Sequence, residues 1–445
     1  MNTEDRFVIT GLAGAQTLKG TIHIHGAKNA ALKAMAASVL FNGPVTLNNV
    51  PHTEDIHTMA RVLRKLGADV SWKNEAKKEQ SILEIDTRSI HSTDIDPTLA
   101  GSMRASVVLT GPLLARFGKV SFPAPGGCVI GARPIDLFID GYKKMGATVK
   151  LDAKNSIYRI SAPKGLVGTD MFFNKVSVGG TETLMMAATM VKGTTTLKNC
   201  AMEPEIVNVA EWLISCGAKI EGIGTSTIVI HGANKKLLTP RTEYTTIPDR
   251  ITTGSFLILG ALCAQKLIIQ DCNPHHVESV INLLKGSGSR ITVSDTSITI
   301  SNTTERARRT SFNLTTHEYP GFPTDLQPII ATYLTQTQGE SVVFETIFEG
   351  RFKYVEDLTR LGADMHVLNS REILIKGKTP FVARDTEADN ELCAHDIRAG
   401  FAVVLAALMA KGDSVVKNVH LIDRGYEQLE ETLAGLGADI KRANK

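Results

Sequence analysis

A motif that recurs six times constrains the fold of this chain more than any other feature of its sequence. Leu-Gly-Ala, or a variant of it, follows an amphipathic segment each time, and its glycines are 71 to 79 residues apart: Gly67, Gly146, Gly217, Gly288, Gly362 and Gly437. Glycine directly after a helix readily adopts the left-handed backbone conformation that ends it. Residues that follow the motif, such as 70–72 and 365–367, alternate as a strand does. The pattern therefore predicts a repeated supersecondary unit.

The rest of each unit repeats as well. Five units close with a short β-branched run, at residues 82–85, 157–160, 228–230, 298–300 and 373–375. The front half of each unit contains an apolar helix, predicted at residues 30–41, 105–115, 183–191, 255–264, 327–335 and 399–410. After the first two of these helices, strands are predicted at residues 45–47 and 119–121. The predicted fold is α/β, with six strand–helix–strand–helix–strand–strand repeats, three per domain. No glycine-rich nucleotide or Walker motif stands at a strand–helix junction, which argues against a doubly wound nucleotide-binding fold.

The sixth unit reaches Lys445 without a closing strand. Residues 7–11 resemble residues 228–232, which close the third unit. We therefore predict that the N-terminal strand completes the sixth repeat. The predicted domains are residues 26–246, with repeats one to three, and residues 1–25 plus 247–445, with repeats four to six.

Composition excludes several classes of function. The chain has 445 residues, 43% of them hydrophobic, and a net charge of +3, too small to indicate a nucleic-acid or membrane surface. The first residues have no apolar core, so no signal peptide is expected, and no apolar run is long enough to span a membrane. Six cysteines without a Cys-x-x-Cys pair indicate reduced thiols and a cytoplasmic location. The paired histidines lack further ligands at metal spacing, so no metal is expected.

Cations stand at equivalent positions of the repeats, just before or at predicted helix starts. They are Lys28, Arg104, Arg133, Arg351, Arg398 and Arg424. If the repeats are related by rotation, these cations and the helix N-termini converge and form a pocket for polyanions. The alternative is that arginines pair with neighbouring aspartates: Arg133 with Asp136, Arg398 with Asp396 and Arg424 with Asp423.

Two further residues are candidates for chemistry. Cys128 lies on a loop with two prolines and two glycines before it, and Arg133 and a helix start follow, so its thiol pKa is expected to be lowered. The alternative is a cysteine on a structural turn. Asp325 follows a proline-rich turn and precedes an apolar helix, so it could cap that helix. Close to cations, its carboxylate would stay ionised and could act as a base.

Longer motifs carry a resemblance to a known family. They are Gly-Ala-Lys-Asn-Ala at residues 26–30, Pro-Gly-Gly-Cys-Val-Ile-Gly-Ala-Arg-Pro at 125–134, Phe-Pro-Thr-Asp-Leu-Gln at 322–327, Thr-Ile-Phe-Glu-Gly-Arg-Phe at 346–352 and His-Leu-Ile-Asp-Arg-Gly-Tyr at 420–426. In this order, and over essentially the whole chain, they resemble the UDP-N-acetylglucosamine 1-carboxyvinyltransferase family of enolpyruvyl transferases. The resemblance implies an inside-out α/β barrel fold, with two similar domains of three βαβαββ repeats and a cleft between them. It also implies transfer of the enolpyruvyl group of phosphoenolpyruvate to the 3-hydroxyl of UDP-N-acetylglucosamine, with release of phosphate. In a bacterial cytoplasm, this is the first committed step of peptidoglycan precursor synthesis.

The resemblance also implies roles for individual residues. Lys28, Arg133 and Arg424 would hold phosphoenolpyruvate beside Asn29. The nucleotide sugar would contact Arg104, Arg133, Pro134, Ile135, Asp136, Leu137, Lys175, Val176, Ser177, Val178, Asp325 and Ile347. Asp325 would accept the 3-hydroxyl proton, and Cys128 would act as the acid near the enol methylene. Asp396 and Arg398 match the Asp-x-Arg element of the family, and Arg351 would add to the anion site.

The chemistry requires no metal or organic cofactor and no obligate protein partner. Ala124, where the family often has leucine, and Thr252, in place of a common acidic residue, are departures from its pattern. The nearest alternative enzyme is 5-enolpyruvylshikimate-3-phosphate synthase, against which Lys28, Asn29 and the Cys128 loop argue. A catalytically silent paralogue that binds the nucleotide sugar is a further alternative. It would lack Cys128, Asp325 or Lys28, and all three are present.

Overall fold

The computed structural model describes residues 5–73, 81–124, 135–302, 309–383 and 391–443. The predictions for Cys128, Arg133 and Pro134 lie outside these residues. The chain divides into two compact units. We call residues 25–124 and 135–247 the central unit, and residues 5–24 and 248–443 the terminal unit.

Helices and strands alternate along both units. The strands are β1 (Arg6–Thr10), β2 (Leu18–His23), β3 (Val45–Asn48), β4 (Asp69–Lys73), β5 (Ile82–Asp86), β6 (Lys119–Pro123), β7 (Thr148–Asp152), β8 (Ile157–Ser161), β9 (Asp170–Phe172), β10 (Thr194–Lys198), β11 (Lys219–Glu221), β12 (Thr227–His231), β13 (Tyr244–Thr245), β14 (Ala264–Gln270), β15 (Arg290–Val293), β16 (Ser297–Ser301), β17 (Leu314–Thr315), β18 (Gly339–Phe344), β19 (Asp364–Asn369), β20 (Glu372–Gly377), β21 (Glu391–Cys393), β22 (Asp413–Lys417) and β23 (Asp439–Ala443). The helices are α1 (Lys28–Ala37), α2 (Glu54–Leu66), α3 (Pro97–Ser102), α4 (Thr110–Phe117), α5 (Asp136–Lys144), α6 (Val178–Ala188), α7 (Pro204–Ser215), α8 (Arg250–Cys263), α9 (Glu278–Gly286), α10 (Gln327–Leu334), α11 (Tyr354–Arg360), α12 (Ile397–Met409) and α13 (Leu429–Gly435).

In the described part of the chain, the strands form six small sheets, one for each predicted repeat. Their orders are β13-β3-β5-β4, β6-β8-β7, β11-β12-β10-β9, β15-β16-β14-β2, β17-β18-β20-β19 and β21-β22-β1-β23. In the second repeat, a single parallel bridge between Asp94 and Ser121 takes the place of the first strand. All six glycines of the recurring motif have positive φ, from 91° to 109°. The predicted α/β repeat is confirmed.

The N-terminal strand completes the sixth repeat, as predicted. β1 lies between β22 and β23 and pairs antiparallel with both. Phe7 and Ile9 alternate inward along β1 and are fully buried, whereas Val8 between them is exposed. β1 is therefore an internal strand whose apolar face belongs to the core of the terminal unit.

The strand that precedes the first repeat in sequence belongs to the fourth repeat, and the strand that precedes the fourth belongs to the first. β2 precedes α1 in sequence but pairs in parallel with β14 of the fourth repeat. β13 precedes α8 in sequence but pairs in parallel with β3 of the first repeat. Each exchanged strand lies in the unit of its partner, so the chain passes between the units after Ile24 and after Ile247.

The first helix of each repeat forms the core of its unit. In the terminal unit, α8, α10 and α12 pack on one another, and almost all their residues are buried. A helix that is apolar on all sides is stable only in such surroundings. In the second repeat, the predicted helix begins as a 3₁₀ helix, Arg104–Leu109, before α4. Among the described residues, none of the helices is both long and apolar enough to cross a membrane.

Candidate active site

The N-terminus of α1 is fixed by a close backbone contact. A Cβ atom at Gly26 would lie 1.8 Å from the carbonyl oxygen of Asn49, so only glycine fits there. The amide N–H of Gly26 also donates to Asn49 Oδ1, at 3.2 Å. Asn49 Nδ2 in turn donates to the carbonyl of Thr246, at 2.9 Å. The turn before Lys28 is therefore held by side-chain and backbone contacts within the central unit.

Lys28 is the first residue of α1 and is buried with a carboxylate partner. Its Nζ lies 2.7 Å from Oδ2 of Asp55, which stands in the first turn of α2, and both side chains are less than 10% exposed. Sequence reasoning identified Lys28 but missed Asp55. The available signal was the acidic start of α2, Glu54-Asp55, which was not linked to a lysine 27 residues earlier.

Two other predicted segments of the central unit come together at the start of α6. Ser177 caps this helix, because its Oγ accepts a hydrogen bond from the N–H of Gly180 at 3.1 Å. A Cβ atom at Gly180 would lie 2.3 Å from Leu137, which stands in the first turn of α5. Ser177 and Leu137, both predicted to contact the nucleotide sugar, are therefore neighbours in space. The remaining predicted residues of this unit are placed as follows: Ile135 buried, Asp136 exposed as the first residue of α5, Lys175 exposed, and Asn29, Arg104, Val176 and Val178 half-buried.

In the terminal unit, Asp325 lies between two buried arginines. Its Oδ1 accepts a hydrogen bond from Arg351 Nη2 at 2.6 Å, and its Oδ2 lies 3.6 Å from Arg398 Nη2. The Arg351 side chain is 2% exposed and that of Asp325 is 28% exposed. The carboxylate is thus held by buried cations and is still accessible from solvent.

Asp325 does not cap a helix. It belongs to the 3₁₀ helix Thr324–Leu326, and α10, which follows, has no side-chain cap. The capping alternative is therefore wrong.

The alternative in which Arg398 pairs with its sequence neighbour Asp396 is wrong, because the Arg398 side chain pairs with Asp325. Asp396 instead caps α12, because its Oδ1 accepts from the backbone N–H groups of Arg398 and Ala399 at 2.7 and 3.0 Å. Asp423 accepts two hydrogen bonds from Arg442, at 3.0 and 2.7 Å. The alternative pairing of Arg133 with Asp136 falls outside the described residues.

The charge of Arg398 is maintained although the side chain is buried. Burial by itself lowers the pKa of Arg398, but the oxygen of Tyr426 and the Asp325 carboxylate raise it above its ordinary value. The guanidinium lies 5.3 Å from the centre of the Tyr426 ring. Burial also raises the pKa of Tyr426, whose hydroxyl is hydrogen-bonded to Ser255 at 2.7 Å. Arg398 therefore remains a cation over the whole physiological pH range.

A buried glutamate that sequence reasoning missed connects two predicted residues. Glu345 is fully buried, and its Oε1 accepts from the backbone N–H groups of Ile347 and Phe348 at 2.8 and 3.0 Å. Its Oε2 accepts from the hydroxyl of Thr324 at 3.0 Å, next to Asp325. The only signal in the sequence is a lone acidic residue directly after the apolar strand β18. Arg424, the remaining predicted cation of this unit, is half-buried.

The described residues contain no group of three or more ligands that could hold a metal ion. His23 pairs with Asp271 at 2.6 Å, and His275 pairs with Glu278 at 2.8 Å. The five cysteines in the described part of the chain are all free thiols.

Comparisons with known proteins agree with this arrangement. Residues 12–433 match the family model of EPSP synthase (3-phosphoshikimate 1-carboxyvinyltransferase). A UDP-N-acetylglucosamine 1-carboxyvinyltransferase from Solibacter usitatus is 42% identical over 439 residues, covering 98% of this chain and 99% of that protein. A protein of the same name from Aliarcobacter butzleri is 40% identical over 434 residues, with 98% and 99% covered.

Solved structures share the fold. The enolpyruvyl transferase NikO from Streptomyces tendae superposes with a TM-score of 0.87 at 24% identity, with both chains fully covered. EPSP synthase from Acinetobacter baumannii superposes with a TM-score of 0.71 at 16% identity, over 99% of this chain and all of that one. The full-length similarity in sequence therefore shows that this chain belongs to the UDP-N-acetylglucosamine 1-carboxyvinyltransferases, a family of enolpyruvyl transferases.

Proposed function

We propose that this protein transfers the enolpyruvyl group of phosphoenolpyruvate to the 3-hydroxyl of UDP-N-acetylglucosamine and releases phosphate. The observation that supports this most directly is the Asp325 carboxylate between Arg351 and Arg398. This carboxylate lies beside two buried cations and is partly exposed, and a carboxylate can accept the proton of a sugar hydroxyl.

The reaction proceeds by addition and elimination. Asp325 accepts the proton of the 3-hydroxyl, and the oxygen adds to C2 of phosphoenolpyruvate while C3 takes a proton from Cys128. The tetrahedral intermediate then loses a proton from C3, the carbon–carbon double bond reforms, and phosphate leaves. Lys28, Arg424 and Arg133 stabilise the charge of the carboxylate and phosphate groups throughout.

The other site residues have binding roles in this proposal. Asn29 lies beside the residues that hold phosphoenolpyruvate. The nucleotide sugar is contacted by Arg104, Arg133, Pro134, Ile135, Asp136, Leu137, Lys175, Val176, Ser177, Val178, Asp325 and Ile347. Arg351 and Arg398 hold the base and add to the anion site, and Asp396 caps α12, the helix that carries Arg398. We further propose that the two units are domains of three repeats each, residues 26–246 and residues 1–25 with 247–445. The free thiols of the described cysteines support a cytoplasmic location for the reaction.

Phosphate release from phosphoenolpyruvate tests the proposal. With UDP-N-acetylglucosamine, phosphate should appear together with a product heavier by the enolpyruvyl group, measured by mass spectrometry. With shikimate 3-phosphate, phosphate should not appear. Turnover of shikimate 3-phosphate alone would assign the sister reaction, and turnover of neither would leave a binding protein.

The Asp325→Asn variant tests the role of the carboxylate. The asparagine can still accept a hydrogen bond from Arg351, so the fold should persist. Turnover should fall on the order of a hundredfold or more, since a positioned base contributes about 10²–10⁴. Asp357→Asn is a suitable control, because Asp357 is also buried and bonded, to His395 at 2.8 Å, but has no proposed role in chemistry. If the two variants lose equal turnover, Asp325 is not the base.

A further inference from the structure

A second buried lysine on α1 pairs with a carboxylate on α6. Lys33 Nζ lies 3.1 Å from Glu182 Oε2, and it donates to the backbone carbonyl of Asn29 at 3.1 Å. Lys33 is 8% exposed and Glu182 is 0% exposed. The Lys33–Glu182 pair therefore joins the first turn of α1, which carries Lys28 and Asn29, to α6.

Glu182 stands one turn after the capped start of α6. Ser177 and Val178, which begin this helix, belong to the segment proposed to bind the nucleotide sugar. Among the described residues, neither oxygen of the Glu182 carboxylate has a hydrogen-bond partner, so its contact with Lys33 is an ion pair without hydrogen-bond geometry. A buried carboxylate without hydrogen bonds is costly, so packing alone does not account for a glutamate at this position.

The two lysine pairs together fix the rotation of α1 about its own axis. Lys28 and Lys33 are five residues apart, which corresponds to about 140° around a helix. Lys28 is held by α2 through Asp55, and Lys33 is held by α6 through Glu182. A helix held at two points so far apart around its circumference cannot roll without breaking one ion pair. Asn29, next to the first of these points, is fixed with it.

We infer that the Lys33–Glu182 pair is a positioning device that sets the first turn of α1 against the first turn of α6. The inference rests on the proposed function, because these two turns carry residues proposed to bind phosphoenolpyruvate and the nucleotide sugar. Neither Lys33 nor Glu182 contacts substrate in this account. They act through Asn29 and through the segment 175–178.

Several charged groups surround Glu182. Lys33 on α1 favours its ionised form, while Glu203 and Glu205 at the start of α7 disfavour it. Tyr244 on β13 is buried, and Glu182 and Glu205 contribute to the rise of its pKa. Removal of Lys33 alone would take away the cation that favours the ionised form of the buried Glu182, so a single Lys33 variant would change stability as well as position.

A double replacement, Lys33→Met with Glu182→Met, separates positioning from stability. Replacing a buried ion pair by apolar side chains of similar volume is commonly neutral for stability. The double variant should therefore melt near the wild-type temperature, while its Kd for UDP-N-acetylglucosamine, measured by calorimetry without turnover, rises roughly tenfold. KM should rise with Kd, and kcat should change less. The exposed Lys73–Glu84 pair of the same unit, replaced by methionines in the same way, should leave Kd unchanged.

Glu182→Gln provides the conservative comparison. A glutamine keeps the length of the side chain and an oxygen that lies beside Lys33 Nζ, so Kd should stay within about twofold of wild type. The inference is overturned by an unchanged Kd in the folded double variant. It is also overturned by a melting temperature more than about 10 °C below wild type, which would assign the pair a role in stability. If wild-type protein binds UDP-N-acetylglucosamine but releases no phosphate, the proposed function fails, and the binding comparison still tests the pair.

Discussion

The ionisation of Glu182 should make the stability of the central unit depend on pH in the opposite direction to that of most carboxylates. Burial, opposed by Lys33, raises the pKa of Glu182 from 4.5 to about 7 in the folded protein. Between pH 4.5 and pH 7, the Glu182 carboxyl group therefore keeps its proton in the folded state and has lost it in the unfolded state. Because the folded state binds more protons in this range, the free energy of unfolding falls as pH rises.

The size of the effect follows from the two pKa values. The contribution of the group is fully present below pH 4.5 and is lost as pH rises through 7. Linkage gives a loss of about 2 to 3 kcal/mol between pH 5 and pH 8, most of a full contribution of about 3 kcal/mol. Glu182→Gln removes the titrating group. The free energy of unfolding of this variant, relative to wild type, should therefore rise by this amount between pH 5 and pH 8.

Tryptophan fluorescence during urea unfolding measures this effect in the right part of the molecule. The two tryptophans of the chain, Trp72 and Trp212, both lie in the central unit. The control is Glu211→Gln, at an exposed position on α7, and its stability should run parallel to wild type at every pH. Parallel curves for Glu182→Gln and wild type, or a difference of opposite sign, would refute the reasoning.

Other predictions concern the N-terminal strand and the proposed substrate contacts. Phe7→Ala should lower the free energy of unfolding of the terminal unit by about 3–5 kcal/mol. Val8→Ala, at a position on the same strand that is 37% exposed, should lower it by less than about 1 kcal/mol. Circular dichroism should detect the difference while the tryptophan transition stays unchanged, and equal losses would contradict the placement of β1. Lys28→Ala and Arg424→Ala should each raise the KM for phosphoenolpyruvate about ten- to a hundredfold, and unchanged kinetics in both would limit them to structural roles. By the family resemblance, fosfomycin should alkylate Cys128, and the reaction should be faster with UDP-N-acetylglucosamine present. The five described cysteines should compete poorly, because burial raises the thiol pKa of four of these five. Peptide mass spectrometry would locate the label. Cys128→Asp should stay active without being labelled, and Cys128→Ser with normal turnover would exclude the thiol as the acid.

The repeat could be predicted from sequence because its signals are local. A glycine after a helix needs only its own backbone freedom to adopt positive φ, and all six predicted glycines do so. The strands that follow alternate in polarity within a few residues. The N-terminal strand was recognised through its likeness to residues 228–232, which is again a local pattern.

The exchange of first strands could not be predicted in the same way. β13 is only two residues long, and it counts as a strand because it lies beside β3. β2 has a strand-like sequence, but nothing within it specifies β14 as its partner. Pairing between segments 197 or more residues apart depends on the packing of whole repeats, which short patterns do not record.

Sequence reasoning missed the partners that several of the predicted site residues have in the structure. Proximity in sequence suggested Asp396 as the partner of Arg398, but an aspartate at a helix start faces backbone N–H groups and caps them. The actual partner, Asp325, lies 73 residues earlier, at the start of another buried helix. Asp55 was missed for the same reason, since its lysine belongs to a different helix.

Buried ion pairs give a physical reason why these helix ends are reliable positions for chemistry. The pairs Lys28–Asp55, Lys33–Glu182 and Arg351–Asp325 each join two elements of one unit, and each includes a fully or nearly fully buried charge. Desolvation cancels much of the attraction within such a pair, so well-packed apolar residues would often stabilise the fold as much or more. Losing one partner, however, leaves a buried charge without compensation, so the two elements cannot separate or rotate cheaply. We therefore expect these pairs to matter more for the positions of Lys28, Asn29 and Asp325 than for the free energy of folding.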